Sequence, residues 1–191
     1  MLKRFPIRHD HGFTLVEMMV VIAVLAILIR VAMPSFTQML RNYQIRNAAG
    51  AILNGVQRAR AEAIARNASV RFCMGDVTKS TWDVDLQTVA CSTTISATAL
   101  DSRVYTDGSK DVTMVVKSGT TTVSSGAVGI TYNNLGQMIT NSGGLGTFDY
   151  IEFDAPALSG SSQKRRVLVG VGGNVRSCDP AIAYSVNARG C

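Results

Sequence analysis

Histidine and cysteine, which are common in catalytic and metal-binding sites, are few in this sequence. Its two histidines, His9 and His11, both precede a long apolar segment, and its four cysteines show no C-x-x-C spacing. If the first residues are removed as a leader, the mature chain has no histidine, which excludes Ser-His and Cys-His catalysis and histidine-based metal sites. The sequence therefore indicates a protein that is not an enzyme and that holds no metal or cofactor.

One acidic residue lies where an isolated charge is costly. Residues 13–32, FTLVEMMVVIAVLAILIRVA, contain only two ionisable side chains, Glu17 and Arg30. As a helix rising about 1.5 Å per residue they would span roughly 30 Å, the thickness of the hydrocarbon core of a bilayer. A carboxylate there costs about 2.5–3.5 kcal/mol on insertion scales, so we expect an interaction that offsets this cost. The plain alternative is an acid near a helix N-terminus, which the helix dipole favours.

The segment before this helix is short and basic. Residues 1–12 carry three lysine or arginine side chains and one aspartate, a start that is also typical of a secretory signal peptide. A signal peptide ends in a small-x-small cleavage site, whereas residues 30–34 read RVAMP and lead into an amphipathic pattern. An acid inside the apolar stretch also brings a signal peptide no advantage. An ordinary secretory signal is therefore the weaker interpretation.

The residues around the start of the apolar stretch match a known processing site. The run from Gly12 to Glu17, GFTLVE, resembles the class III leader site of type IV pilins and type II secretion pseudopilins. In those families a prepilin peptidase cuts after the glycine and methylates the new N-terminal phenylalanine. The resemblance implies cleavage after Gly12 and N-methylation of Phe13. It also implies that Glu17 neutralises the N-terminal amine of a neighbouring subunit during assembly, and that the helix bends at Pro34.

Arg30 departs from the pattern of these families, in which its position is normally apolar or small. It lies about one helical turn from the end of the apolar segment, so its side chain could extend to the membrane interface. It could instead pair with an acid of a neighbouring subunit. The sequence leaves both explanations open.

The helical pattern continues from residue 35 to about residue 67. Gly50 and Gly55 each weaken such a helix by about 1 kcal/mol relative to alanine, which is tolerated if a sheet packs closely against them. The arginines of this segment lie mostly off the apolar stripe, where a basic face is usually solvated and DNA binding is the alternative. The stripe, with spacings of three and four residues, consists of Ile45, Ala49, Ile52, Val56, Ala59 and Ala63.

Beyond residue 67 the apolar pattern changes to that of short strands. Turn sequences separate these strands at residues 107–108, 133–136, 141–144 and 159–160. One N-terminal helix lying against antiparallel strands is an α+β arrangement. The predicted strands are residues 70–73, 81–86, 112–116, 129–132, 148–153 and 166–171.

Length and composition limit the remaining possibilities. At 47% hydrophobic and 17% charged residues, the chain is too apolar to be disordered and too interrupted to be a multi-span membrane protein. Its 191 residues can build one domain with a hydrophobic core. The net charge of +6 permits an anionic partner without requiring one.

The cysteines indicate disulfides rather than a metal site. Disulfides form in oxidising compartments, to which an exported domain is delivered. Four cysteines allow three connectivities. We expect the two sequence-local pairs, Cys73–Cys91 and Cys178–Cys191, each closing a loop that contributes roughly 3 kcal/mol in the chain-entropy model.

Within these families, the long helix, residues 58–67 (RARAEAIARN) and the closing strand resemble the FimT, FimU and GspH branch of minor pilins and pseudopilins. In FimT-type members a C-terminal Gly-Arg-x-Arg motif is implicated in binding DNA for natural transformation. Here residues 173–176 read GNVR, so asparagine replaces the first arginine. A strand followed by a disulfide-closed tail is the plain alternative. The basic residues that could still contact phosphate are Lys164, Arg165, Arg166, Arg176 and Arg189.

The resemblance implies a pilin-like fold of four parts. These are a leader (residues 1–12), a transmembrane and assembly helix (13–33), the amphipathic half of the same helix (34–67) and a β-rich head (68–191). The chain would be a single-pass inner-membrane protein before assembly. It would then be part of the pilus at the cell surface, with its head in the periplasm or the extracellular space.

The function implied is that of a minor type IV pilin of the FimU or FimT kind. Such a subunit is processed by prepilin peptidase, assembled by the inner-membrane machinery and placed at or near the pilus tip. With other minor pilins it primes polymerisation of the major pilin. The alternatives are a DNA-binding minor pilin for natural transformation and a GspH-like pseudopilin of a type II secretion system.

Overall fold

The computed structural model describes residues 12–155 and 163–191. Within them, a 52-residue helix, α1 (Leu15–Arg66), precedes ten strands. In chain order the strands are β1 (Val70–Met74), β2 (Trp82–Leu86), β3 (Asp101–Arg103), β4 (Thr113–Ser118), β5 (Thr121–Val123), β6 (Val128–Tyr132), β7 (Met138–Ile139), β8 (Tyr150–Asp154), β9 (Arg165–Val169) and β10 (Val175–Cys178).

The chain divides into two compact units, residues 1–37 and 38–191. The N-terminal unit, described from residue 12 onward, consists mainly of the first part of α1. Every residue from 12 to 36 is exposed, and the most apolar 18-residue window has a mean hydropathy of 2.6. By length and composition α1 could cross a membrane.

The second unit, residues 38–191, is called the head from here on and includes the amphipathic half of α1. In it, α1 buries one stripe of side chains. All six residues of the predicted stripe are buried, which confirms the helical period between residues 45 and 63. Ala48, Ala51 and Gly55 are buried as well. Small residues on this face allow the backbone of α1 to approach the strands closely.

A capping motif ends α1 where the sequence predicts. Asn67 adopts a positive φ of 51°, a conformation that asparagine tolerates better than most residues. The Ala68 N–H donates to the Ala63 carbonyl at 3.2 Å, and the Asn67 N–H donates to the Ile64 carbonyl at 3.3 Å. These two bonds form the Schellman arrangement, which satisfies carbonyls at the end of the helix.

The strands form two antiparallel five-stranded sheets, where the sequence predicted antiparallel strands without their order. The first sheet has the order β3-β2-β1-β6-β7, and the second has the order β10-β9-β8-β4-β5. In the first, Phe72 of β1 is paired with Val84 of β2 and Ile130 of β6. The helix packed on antiparallel sheets confirms the α+β, pilin-like fold class.

Each of the six predicted strand segments contains a strand. Their ends differ by a few residues: 81, 112, 148–149 and 170–171 lie outside the strands. Four strands lie outside the predicted segments: β3, β5, β7 and β10. Each has only two to four residues, which are too few to show an alternating pattern. The predicted turn at residues 159–160 lies outside the described residues.

One hydrophobic core joins the helix to both sheets. Phe72 lies near its centre, with its ring centroid 5.7 Å from that of Trp82 and 6.3 Å from that of Phe148. Phe153 and Val167 of the second sheet belong to the same cluster. Burying these aromatic rings contributes a large share of the stability of the head.

The first sheet is buried on its other face too, beneath two loops. We call the polar residues buried there, Arg71, Asp83, Asp85 and Thr131, the outer polar layer. The Ser96 N–H donates to Oδ2 of Asp83 at 3.0 Å, and the Thr98 hydroxyl donates to Oδ2 of Asp85 at 3.1 Å. Burial raises the pKa of the Asp83 carboxyl. These bonds attach the loop between β2 and β3 to the face of the sheet.

The two helix glycines differ in their surroundings, which gives a matched test of the packing. A Cβ at residue 55 would lie 2.8 Å from Cε2 of Phe72 and 3.0 Å from two ring carbons of Trp82, whereas nothing lies within 4 Å of a Cβ at residue 50. We expect Gly50→Ala to raise the free energy of unfolding by up to about 1 kcal/mol through helix propensity. Gly55→Ala should lower it by about 1 kcal/mol or more, because the buried rings must shift.

The fluorescence of Trp82, the single tryptophan, reports unfolding of the head in urea for both variants. Opposite shifts of the two midpoints are the expected result. Shifts in the same direction would contradict the close approach of α1 to the first sheet at residue 55.

Candidate assembly segment and basic C-terminal region

The N-terminus of α1 is a helix cap that places Glu17 in the first turn. Thr14 precedes the helix, and its Oγ1 accepts a hydrogen bond from the Glu17 N–H at 3.2 Å. The Thr14 carbonyl accepts the first helical bond, from the Met18 N–H, at 3.2 Å. The spacing T-x-x-E is that of a capping box. The sequence that resembles a processing site therefore also starts the helix.

The carboxylate of Glu17 lacks a cationic partner among the described residues. Arg30, the other charged residue of the apolar stretch, lies about 20 Å further along the helix at 1.5 Å per residue. The helix dipole favours an acid at this end of α1. That effect, worth up to about 1 kcal/mol at the surface, is smaller than the cost of a lone carboxylate in a membrane.

α1 continues through Pro34. The Thr37 hydroxyl donates to the Pro34 carbonyl at 2.9 Å. Because proline has no N–H, the Arg30 carbonyl receives no helical bond from residue 34. The boundary between the two compact units lies three residues further along the chain, after Thr37. Pro34 thus interrupts the helical hydrogen bonds without ending the helix.

Two of the five predicted DNA-contacting residues are held by acids of the adjacent strand. Nζ of Lys164 lies 3.1 Å from Oδ2 of Asp154 and 3.5 Å from Oε1 of Glu152. An Nη atom of Arg166 lies 2.7 Å from Oε2 of Glu152, and its guanidinium stacks 4.4 Å from the centroid of the Tyr150 ring. The hydrogen bond to Asp154 raises the pKa of Lys164. These two cations are therefore already partnered within the chain.

The other three basic residues have different surroundings. Arg176 donates to the Gly190 carbonyl at 3.1 Å, and its guanidinium lies 4.8 Å from the centroid of the Tyr184 ring. Nε of Arg165 is buried without a hydrogen-bond acceptor. Arg189 is exposed. The structure thus brings Lys164 and Arg166 together and ties Arg176 to the C-terminal loop.

The stretch that aligns with the Gly-Arg-x-Arg motif, residues 173–176, begins in the turn between β9 and β10 and ends in the first two residues of β10. Gly173 adopts a positive φ of 75°, and a Cβ there would lie 2.6 Å from the Tyr132 ring. The Tyr132 hydroxyl donates to the Gly173 carbonyl at 2.7 Å. Burial raises the pKa of Tyr132 to about 12, so the phenol stays a donor at neutral pH. Gly173 therefore allows the turn before β10 of the second sheet to lie against Tyr132 of the first sheet.

Sequence reasoning missed the acids that partner these cations. The alternation of residues 150–154, YIEFD, places Glu152 and Asp154 on one face of β8. In the observed register Glu152 is opposite Arg166. The charge complementarity could have been found only by assuming that residues 150–154 and 165–169 pair as a hairpin.

Both disulfides occur between the sequence-local cysteines. Cys73 of β1 is bonded to Cys91 in the loop between β2 and β3, and Cys178 of β10 is bonded to Cys191. The second bond fixes the C-terminal loop against the edge of the second sheet. Asp179 and Gly190 form an isolated bridge beside it.

Removing the C-terminal disulfide should therefore loosen the loop that holds Arg176. We expect the double substitution Cys178→Ala with Cys191→Ala to lower the free energy of unfolding by about 2–3 kcal/mol. Thermal denaturation of the purified chain should show a midpoint several degrees lower. Arg189→Ala, in the same loop and exposed, is the control and should leave the midpoint unchanged. An unchanged midpoint for the double variant would contradict a stabilising role of this bond.

Comparisons with known proteins give three results. Residues 7–29 match the prokaryotic N-terminal methylation motif, and residues 48–173 match the family of the type II transport protein GspH. Two crystal structures of the type IV minor pilin FimU of Pseudomonas aeruginosa are similar to this chain at 17% sequence identity. They give TM-scores of 0.47 and 0.46, covering 72% of this chain and 90% and 94% of theirs. No curated protein sequence matches the chain significantly.

Proposed function

This chain belongs to the family of the type II transport protein GspH, and from that premise we propose that it is a minor pilin that functions by assembly rather than catalysis. The observation that carries the proposal is the N-terminal part of α1. It is exposed, apolar and long enough to span a bilayer, and it begins with a methylation motif and an acid in its first turn. A helix of this kind suits a subunit that leaves the membrane to join a bundle of similar helices.

Processing comes first in the proposed sequence of events. Prepilin peptidase cleaves after Gly12 and methylates the amine of Phe13. Before assembly the chain is anchored in the inner membrane by α1, with its head on the periplasmic side. The inner-membrane assembly machinery then draws the helix into the growing filament.

Glu17 sets the position of the subunit during this step. In the bundle its carboxylate meets the N-terminal amine of a neighbouring subunit, in surroundings where opposite charges attract strongly. One carboxylate and one amine per subunit define a single favourable axial register. An unpaired carboxylate in the same surroundings is penalised, which disfavours other registers. Pro34, which interrupts the helical bonds, allows α1 to adjust to its neighbours.

The more specific proposal concerns where the subunit acts. We propose a minor type IV pilin of the FimU or FimT kind, which with other minor pilins primes polymerisation of the major pilin and remains at or near the tip. The head contains two disulfides, which are typical of domains located outside the cytoplasm. Met39, Leu40 and Tyr43, exposed at the start of the helix in the head, offer apolar surface for neighbouring subunits.

The family match favours a second candidate, a pseudopilin of a type II secretion system. Its proposed chemistry is the same, since processing, methylation and the Glu17 pair are common to both. The two candidates differ in the filament that contains the chain. A pilin is recovered in filaments sheared from the cell surface, whereas a pseudopilin stays in the cell envelope.

Replacing Glu17 tests the assembly mechanism. We expect Glu17→Gln to leave the head folded and the chain inserted in the membrane, but to reduce incorporation into filaments at least tenfold. The reason is that the neutral amide cannot pair with the ammonium group of the neighbour. Immunoblots of sheared filaments and of membrane fractions measure the two populations.

Glu17→Asp, which keeps the charge, is the matched control and should retain part of the incorporation. Mass spectrometry of each variant should show a chain that begins at N-methylated Phe13, so that a failure of processing is separated from a failure of assembly. Normal incorporation of a correctly processed Glu17→Gln chain would refute the pairing mechanism.

The contacts of the basic residues favour assembly over DNA uptake. In a gel-shift titration of the detergent-solubilised chain with a short DNA duplex, we expect no stable complex at about 150 mM salt. The weak binding present at low salt should be unaffected by Arg176→Ala, because this side chain already lies against Gly190 and Tyr184. A complex that persists at 150 mM salt and is lost in Arg176→Ala would support the uptake function instead.

A further inference from the structure

The outer polar layer contains a cation that the described chain leaves without a hydrogen-bond acceptor. Arg71 of β1 is only 4% exposed, yet its Nε is buried without an acceptor. No carboxylate of the described residues lies within ion-pair distance of its guanidinium. Burial lowers the pKa of Arg71, and the more distant charges of Asp83 and Asp85 partly oppose that effect. A buried guanidinium without an acceptor is unfavourable, so a ligand that supplies one would be bound.

The path of the Arg71 side chain explains why the nearby acids do not pair with it. A Cβ at residue 129 would lie 3.5 Å from Cδ of Arg71 and 2.8 Å from Cδ2 of Leu145, so the arginine stem passes over Gly129. Gly129 belongs to β6, and β6 and β2 lie on opposite sides of β1. The stem therefore runs away from the acids of β2, although Asp85 is opposite Arg71 in the strand register.

Arg71 lines a cavity of about 480 Å³ between residues 87–91 and residues 142–145. Among the described residues, Arg71 is the only charged one in its wall, which otherwise consists of small, apolar and uncharged polar residues. The disulfide between Cys91 and Cys73 fixes one side of the cavity to β1. The other side includes Gly143 and Gly144, where a Cβ would meet nothing within 4 Å. Within the wall of the cavity, Arg71 supplies the positive charge that an anion would meet.

We propose that this Arg71 cavity is a binding site for a carboxylate. The planar guanidinium presents parallel N–H donors that match the two oxygens of a carboxylate. One positive charge balances one negative charge, while Asp83 and Asp85 in the same layer disfavour a doubly charged phosphate. The volume exceeds that of a carboxylate group, so the site accommodates a free organic acid or the acidic side chain of another polypeptide.

The Nε–Hε signal of Arg71 provides a direct test. The ¹⁵N-labelled full chain in detergent micelles is titrated with sodium acetate, and separately with sodium chloride at equal ionic strength. We expect a saturable shift of this signal with acetate and none with chloride. Arg71→Lys, observed through the amides of Gly143 and Gly144, should bind acetate at least tenfold more weakly. Arg189→Lys, a change at an exposed site, should bind it like the original chain.

A second titration distinguishes the two sources of the carboxylate. The peptide N-acetyl-Gly-Glu-Gly-amide is compared with its glutamine counterpart. Binding of the glutamate peptide at least tenfold tighter than acetate would identify a protein side chain as the ligand, and equal binding would identify a free acid.

Either result supports a carboxylate site, provided that the glutamine peptide does not bind. The proposal is overturned if the Nε–Hε signal does not respond to acetate, if chloride moves it equally, or if Arg71→Lys binds acetate unchanged. Because the signal is read in the unmodified chain, the test stands even if the lysine variant does not fold.

Discussion

The helix α1 has to be stable in two kinds of surroundings, and this requirement shapes the rest of the molecule. Residues 12–36 are exposed and almost entirely apolar, as a lipid environment requires, while residues 45–63 bury a stripe against two sheets. Hydrogen bonds within the helix satisfy its backbone N–H and C=O groups in both surroundings, because these bonds need no water. The difference between the two parts is therefore carried by side chains. Large aliphatic residues occupy the first, and small residues such as Gly55 and Ala59 let strands approach the second.

Nine of the 26 charged residues of the head form ion pairs within the described chain, which limits what its basic composition can mean. Glu62 lies 2.7 Å from Arg58 and 2.6 Å from Arg66, and the pairs around Glu152 repeat the pattern on the second sheet. Each exposed pair contributes less than about 1 kcal/mol to stability. A paired guanidinium has nevertheless already used donors that a phosphate would need. Residues 38–191 contain 15 basic and 11 acidic residues, so the net charge of the head is +4 rather than the +6 of the whole sequence.

The parts that could be predicted from the sequence are those fixed by local spacing. The apolar stripe of α1, its end near Asn67 and the six longer strand segments follow from periodicity and turn residues. The order of the strands in each sheet cannot be predicted in this way, since it depends on contacts between residues far apart in the chain. The partners of Lys164 and Arg166 were missed for that reason, and so was the burial of Arg71. Gly50 and Gly55 look alike in sequence, and only the position of the first sheet distinguishes them.

An unpaired charge indicates a partner only where water cannot solvate it. Arg189 is exposed, so it is hydrated and carries no energetic penalty that a ligand would relieve. Glu17 lies on an apolar surface that suits lipid, and Arg71 is only 4% exposed beneath two loops. For both, we propose that an oppositely charged group from outside the subunit relieves the cost of a poorly solvated charge. The surroundings of a charge, more than its sign or its number, therefore indicate where a group from outside this subunit would lower the free energy.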